Sequence, residues 1–320
     1  MFRESLNQMT LTFTLTPTGP VLVKSGREAG ADPTLVDMNF VRTYRPGFEK
    51  PTVFIPGSSL KGTLRSYTER VLRTVLGEGR DGCCNIFDET SFCGKRLEKE
   101  NDTAKRYRRS CLACRIFGNT VLGGRLSVTD AYPPDGALAE TNATEQRDGV
   151  AIDRILGGTV PGALFTFEVV TRGAFQATLT LENFELWQMG LLAVALRDLG
   201  TGLCPIGFGK TRGLGRMAVT LDKLEMAYPG RFDPQADGRD YATRIYPVSA
   251  FHPEWCGEES YGLTDEAPIS LADLSPQLSD DGTLGRVAFR LEGDQAVRGA
   301  LARAAGAWKT FALARREGET

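Results

Sequence analysis

Five of the seven cysteines crowd into residues 83–114, in the stretches CCNIFDETSFCGKR and CLACRIFG. Cys111 and Cys114 have the C-x-x-C spacing that lets two thiolates share one tetrahedral zinc. Cys93 and one of Cys83 and Cys84 complete a four-thiolate set, so four of these five are the expected ligands. Four thiolates leave no open coordination position, and the expected zinc is therefore structural. An odd, clustered set without an export-signal pattern reads as metal ligands rather than disulfides. The only histidine, His252, lies far away. Its H-x-x-x-C spacing with Cys256 has no partner pair, and both are read as structural.

A second chemical candidate is the corner FIPGSSLKGTLRSYTERVL, residues 54–72, where a β-prone run turns at once into an amphipathic helix. A helix start offers unpaired backbone N–H groups and the positive end of the peptide dipoles, a natural seat for phosphate. Ser58 also reads as a plain N-cap. Two familiar nucleotide motifs are excluded by spacing. In Lys61-Gly62-Thr63 the lysine precedes the glycine, and Gly209-Lys210-Thr211 has Cys204 where the loop-opening glycine of a Walker motif belongs. Gly207, Gly209 and Gly213 leave three residues in the second gap, one too many for the dinucleotide pattern.

These residues need elements to hold them. Residues 9–16 alternate apolar and polar side chains and predict a first strand. A long polar loop leads to a short strand over residues 52–55 and a helix over about residues 58–76, with Leu60, Leu64, Tyr67, Val71 and Val75 as its core stripe. Residues 95–115 form a basic stretch between the cysteines, an insertion at about residues 80–118 anchored by metal. A strand at residues 125–129 precedes a Pro/Gly-rich excursion. GALFTFEVV predicts a strand, residues 181–199 a core helix, and PIGFGKTRGLGRMAVT a glycine-rich loop entering a last strand. RVAFRLE and an Ala-rich helix over residues 295–315 close the chain. Strand–helix–strand twice over suits an α+β sandwich of ferredoxin-like type.

Net charge is −2, but residues 1–125 carry an excess of seven positive charges while the remainder is acidic. Such asymmetry hints at a polyanion-facing half, although Lys and Arg also simply solvate helix faces. The longest apolar run, residues 191–196, is too short to span a bilayer. With no signal-peptide pattern, a soluble cytoplasmic protein is expected.

Four stretches together resemble the RAMP superfamily of RNA-binding CRISPR proteins, and within it the backbone subunit of type III effector complexes. They are VDMNFVRT, IPGSSLKGTLR, CLACRIFG with GRLSVTDAYP, and IGFGKTRGLGRM; RDGVAIDR is a fifth, weaker one. The likeness covers roughly residues 9–222. It implies a ferredoxin-like or RRM-like RAMP core over residues 1–225, with the zinc-binding insertion and a projecting thumb hairpin at about residues 131–155. Residues 226–320 form an extension without a counterpart.

The resemblance further implies that Gly57, Ser58, Ser59, Lys61, Arg65 and Arg42 hold the backbone of a guide (CRISPR) RNA. Gly207, Gly209, Lys210, Arg212, Gly213 and Arg216 would do the same from the glycine-rich loop. Contacts to phosphate ignore base identity, as an arbitrary guide requires. The thumb would splay the duplex with a complementary target RNA, where Asp153 and Arg154 also read as a local ion pair. Active family members place an aspartate in the early loop. Here that is Asp37, with Asp32 as the competitor, and Mg or Mn would assist cleavage by the 2′-hydroxyl. A paired-histidine ribonuclease is disfavoured by the single histidine. The alternatives are a catalytically inactive guide-RNA scaffold and a zinc-stabilised protein-interaction module. Other CRISPR effector subunits are the implied partners, with no membrane.

Overall fold

A computed structural model describes residues 3–26, 37–45, 48–233 and 237–317. Its strands are β1 (Gln8–Pro17), β2 (Arg42–Thr43), β3 (Thr52–Val53), β4 (Leu126–Val128), β5 (Glu145–Ile152), β6 (Thr159–Val169), β7 (Phe175–Glu182), β8 (Met217–Pro229), β9 (Arg244–Ile245), β10 (Ile269–Ser270), β11 (Gln277–Asp281) and β12 (Arg286–Glu292). Its helices are α1 (Gly57–Leu76), α2 (Cys93–Arg96), α3 (Thr103–Arg109), α4 (Leu112–Phe117), α5 (Leu138–Asn142), α6 (Leu186–Gly200) and α7 (Asp294–Glu317).

The alternation read in the first strand is real: Met9, Leu11, Phe13 and Leu15 are buried while the threonines between them are partly exposed. Each such side chain contributes roughly 1.5–3 kcal/mol through burial. β1 pairs antiparallel with both β7 and β8, and the main sheet runs β11-β12-β8-β1-β7-β4. The inner order β8-β1-β7-β4, with α1 between β1 and β4 and α6 between β7 and β8, is the ferredoxin-like arrangement. The fold is α+β, as expected.

The third strand of that motif differs from the sequence expectation. GALFTFEVV lies in β6, which pairs with β5 in a separate two-stranded hairpin. β7 fills the sheet position instead, with Phe175, Ala177, Leu179 and Leu181 turned inward. The core helix therefore starts at Leu186, not near residue 181. Its first turn is fixed by a capping box between Glu185 and Gln188.

Beyond residue 226 the chain extends the same sheet. β12 pairs along β8, β11 adds the outer edge, and α7 packs on α6. A Cβ on Gly190 would meet the Ala304 carbonyl oxygen at 2.0 Å, so glycine there lets α6 and α7 approach closely. Trp187 stacks on Phe311 across that seam with ring centroids 4.6 Å apart. No helix among the described residues is long and apolar enough to cross a membrane.

Candidate nucleic-acid interface and metal centre

The corner is built tightly. Helix α1 begins at Gly57 with Pro56 as its N-cap, so Ser58 is already inside the first turn and makes no side-chain cap bond. A Cβ at Gly57 would lie 2.2 Å from the Val128 carbonyl oxygen, which ties α1 against β4 and demands glycine. The Gly57 N–H donates to Asp130 Oδ1 at 2.8 Å, while Ser58 and Ser59 are exposed. Lys61 is half-buried, and burial, with Arg65 nearby, lowers its pKa below the usual lysine value.

The glycine-rich loop is laced to the segment that follows β1. Phe208 N–H donates to Leu22 O and Gly215 N–H to Pro20 O, both at 2.8 Å, and Ile206 N–H closes the loop onto Gly215 O at 2.9 Å. Gly207 has φ +73°, and a Cβ there would meet Leu22 O at 2.2 Å. Gly209 and Gly213 are left-handed at either end of a single turn that carries Lys210 and Arg212. Arg212 lies over the Phe208 ring at 4.8 Å and the Phe165 ring at 6.0 Å, linking the loop to the β5–β6 hairpin.

Between this loop and α1 opens a cleft of about 390 Å³ lined by Thr63, Ser66, Tyr67, Arg70, Lys210, Thr211 and Arg216. Arg70, Lys210 and Arg216 have no carboxylate partner among the described residues, whereas Tyr67 donates to buried Asp198 at 2.6 Å. Burial and that carboxylate push the Tyr67 phenol up to about 12. Hydroxyls and unneutralised cations around a polar cleft suit a phosphodiester chain. Thr63, Ser66 and Arg70 were missed from sequence; they follow Ser59 at three- and four-residue steps, one exposed helix face.

Other expected contacts sit elsewhere. Arg65 turns to the cysteine cluster. Arg42 grips Glu168 with both terminal nitrogens, and Glu168 Oε2 also accepts from Phe40 N–H at 2.8 Å. Burial opposes ionisation of Glu168, but the bonds from Arg42, Thr144 and Phe40 outweigh it and hold the carboxyl below its usual range. Asp37 Oδ2 accepts from Thr166 N–H at 2.7 Å, fixing the end of the early loop to β6. Asp37 Oδ1 has no bond among the described residues. Asp32 lies outside the described residues.

The hairpin itself spans β5 and β6, so of residues 131–155 only its first strand and turn belong to it; residues 138–142 form α5. Asp153 Oδ1 accepts from Ile155 N–H at 2.8 Å and Leu156 N–H at 2.7 Å. It shapes the turn rather than pairing with Arg154. Ile155 and Leu156 at the tip are 92% and 85% exposed.

In the insertion the sulfurs of Cys84, Cys93, Cys111 and Cys114 lie within 4.8 Å of one another, all buried. Cys84 and Cys114 Sγ are 3.9 Å apart. Zinc–sulfur bonds of about 2.3 Å give a tetrahedron edge of roughly 3.8 Å, so the four residues fit zinc. Cys83 is buried beside the cluster but outside this mutually close set, and its sulfur accepts from Arg73 Nη2 at 3.3 Å. The cysteines are free thiols, without disulfides. His252 forms ion pairs with Glu4 and Glu254 and stacks on Trp255, a structural role.

The model of one protein family, the RAMP superfamily, matches residues 14–218. The chain belongs to the RAMP superfamily. The matched span runs from the end of β1 to the start of β8 and holds β4, β7, the glycine corner, the cysteine cluster and the glycine-rich loop. No curated protein matches the sequence. RAMP proteins are CRISPR-associated and RNA-binding, and some are ribonucleases, which accords with the open basic cleft in this one.

Proposed function

We propose that this RAMP protein is a cytoplasmic guide-RNA-binding backbone subunit of a type III CRISPR effector. The observation that carries the reading is the cleft between α1 and the glycine-rich loop, where Arg70, Lys210 and Arg216 have no carboxylate partner among the described residues. Ser58, Ser59, Ser66 and Thr211 offer hydroxyls along the same path. Because the cations meet phosphate and not base edges, guides of any sequence are held alike. Gly207, Gly209 and Gly213 keep the loop thin enough for the backbone to approach. Arg212 and the aromatic rings beneath it join this surface to the hairpin, whose exposed Ile155 and Leu156 would wedge into a guide–target duplex.

Cleavage of target RNA falls to Asp37 in this reading. One carboxylate oxygen is anchored by Thr166 and the other has no bond among the described residues. The target's 2′-oxygen bonds to the adjacent phosphorus as the bond to the 5′-oxygen breaks, leaving a 2′,3′-cyclic phosphate and a 5′-hydroxyl. Asp37 takes the 2′ proton, or orients that hydroxyl while water takes it, and the departing 5′-oxygen takes a proton from water. A bound Mg or Mn would supply neutralisation of phosphate charge. Asp37 forms no preformed cage for it, and a single carboxylate with waters and phosphate oxygens is a common magnesium arrangement.

The protein purified without nuclease treatment is expected to carry short RNA, released by high salt. Loss of salt-sensitive RNA binding by the folded, zinc-loaded protein, alone and with its effector partners, would discard the reading. Asp37→Asn in the assembled effector separates the two forms of it: cutting abolished with guide retained assigns the cleavage to Asp37. The engagement of Asp37 by Thr166 equally favours an inactive scaffold, and target RNA left whole by wild type with magnesium selects that form.

A further inference from the structure

Arg65 sits on the helix that lines the proposed RNA cleft, yet each of its nitrogens is turned away from it. Nε pairs with Glu69 at 2.9 Å, Nη1 donates to the Gly118 carbonyl at 3.1 Å, and Nη2 reaches Cys114 Sγ at 3.9 Å. Three of its five N–H donors are thus engaged on the side of the cysteine cluster. Glu69 also faces Arg73 at 3.7 Å, one turn further along, and Arg73 donates to Cys83 Sγ. On the far side of the cluster Arg96 Nη2 lies 3.7 Å from Cys93 Sγ, held there by the Arg109 carbonyl.

Zinc bound by four thiolates carries two net negative charges, and these four sulfurs are buried. A buried charge without compensation is costly. Here guanidinium groups approach from two sides, and Glu69 offsets part of their excess while aiming two of them. Outer-shell partners of this kind orient ligands and tune the metal.

We propose that Arg65 and Arg96 are charge-compensating positioning residues of the cysteine metal centre, and that Arg65 belongs to that centre and not to the RNA-contacting face. α1 would thus serve two sites with different faces, the cleft through Ser66 and Arg70, the metal through Arg65.

The test uses the full chain loaded with Co²⁺, whose thiolate charge-transfer bands report on sulfur electron density, and with Zn²⁺ for release into a chromophoric chelator. Arg65→Gln is expected to release metal about tenfold faster, within the range for loss of an outer-shell partner. It should also move the Co²⁺ charge-transfer band to longer wavelength, because Cys114 loses a donor. Arg65→Lys should recover part of both effects, and Arg70→Gln should change neither. Arg96→Gln, away from α1, should act like Arg65→Gln and serves if the latter fails to fold. Unchanged release and spectrum in the Arg65 and Arg96 variants would overturn the proposal. RNA affinity of metal-loaded Arg65→Gln falling as far as that of Lys210→Ala would overturn its second part. Neither outcome depends on cleavage, so the proposal can fail while the RNA-binding reading stands, and the reverse.

Discussion

Arg42 and Glu168 form a two-pronged ion pair that staples the early loop to the stem of the β5–β6 hairpin. The Glu168 side chain is 10% exposed and Arg42 32%, so the pair is shielded on one side only. Thr144 and the Phe40 amide complete the carboxylate's acceptors. Glu168→Ala strands these donors and should cost about 2–3 kcal/mol. Urea unfolding should show a lower midpoint at unchanged slope. A variant as stable as wild type would mean that the loop is held by other contacts.

The cleft makes a prediction that separates phosphate contact from base reading. Arg70→Ala, Lys210→Ala and Arg216→Ala should each weaken single-stranded RNA binding roughly three- to tenfold, alike for unrelated sequences. Each should also flatten the dependence of log affinity on log salt by about 0.7, the share of one counterion on a single strand. Titration by fluorescence anisotropy at several salt concentrations measures both. A sequence-dependent loss, or an unchanged slope, would speak against phosphate as the ligand.

Much of this molecule is written in local pattern. β1 and α1 carry clean two- and 3.6-residue periods, and the cysteine spacing announces a cluster that could hold a metal ion. FQATLTLE alternates as β1 does, but GALFTFEVV just before it competes for the same place in the motif, and only long-range pairing with β1 and β4 gives that place to β7. The choice of Cys84 over Cys83 depends on which sulfur points inward at a Cys-Cys pair, and only three dimensions decide that. Lys61 and Arg65 look equivalent at four-residue spacing, but Glu69 and Gly118 draw Arg65 inward. Gly118 is 53 residues away, beyond any local rule. RVAFRLE, which becomes β12, stands out as a short segment, but its pairing along β8 and that of β11 beyond it are long-range events that local pattern does not show.

Two glycines of the same loop should respond differently to alanine. Gly213 has φ +82° and open space around its Cβ position, so Gly213→Ala meets only backbone strain, about 1 kcal/mol or slightly more. Gly207 has φ +73° and the Leu22 oxygen at 2.2 Å from that position. Gly207→Ala must also break the seam to residue 22, and its loss of thermal stability and RNA affinity should clearly exceed that of Gly213→Ala. Equal effects in the two variants would show that the loop does not depend on that close approach.

His252 joins the amino-terminal segment to the region after β9. Nε2 lies 2.8 Å from Glu4 Oε2 and Nδ1 2.7 Å from Glu254 Oε1. Partial burial works to lower the imidazole pKa, but the hydrogen bonds to Glu254 and Glu4 and the charge of both carboxylates outweigh it, and the value is raised. A raised folded-state value means the folded protein holds the proton more tightly than the unfolded chain. The stabilisation is therefore complete below the unfolded value of about 6.5 and is lost as pH rises through the higher folded value. The imidazole is partly open to solvent, so the effect should be modest, within a few degrees of melting temperature. With a single histidine in the sequence, one resolved imidazole resonance reports the titration directly. Wild type should lose stability relative to His252→Gln across that window, and an imidazole titrating at or below the ordinary value would remove the basis for this link.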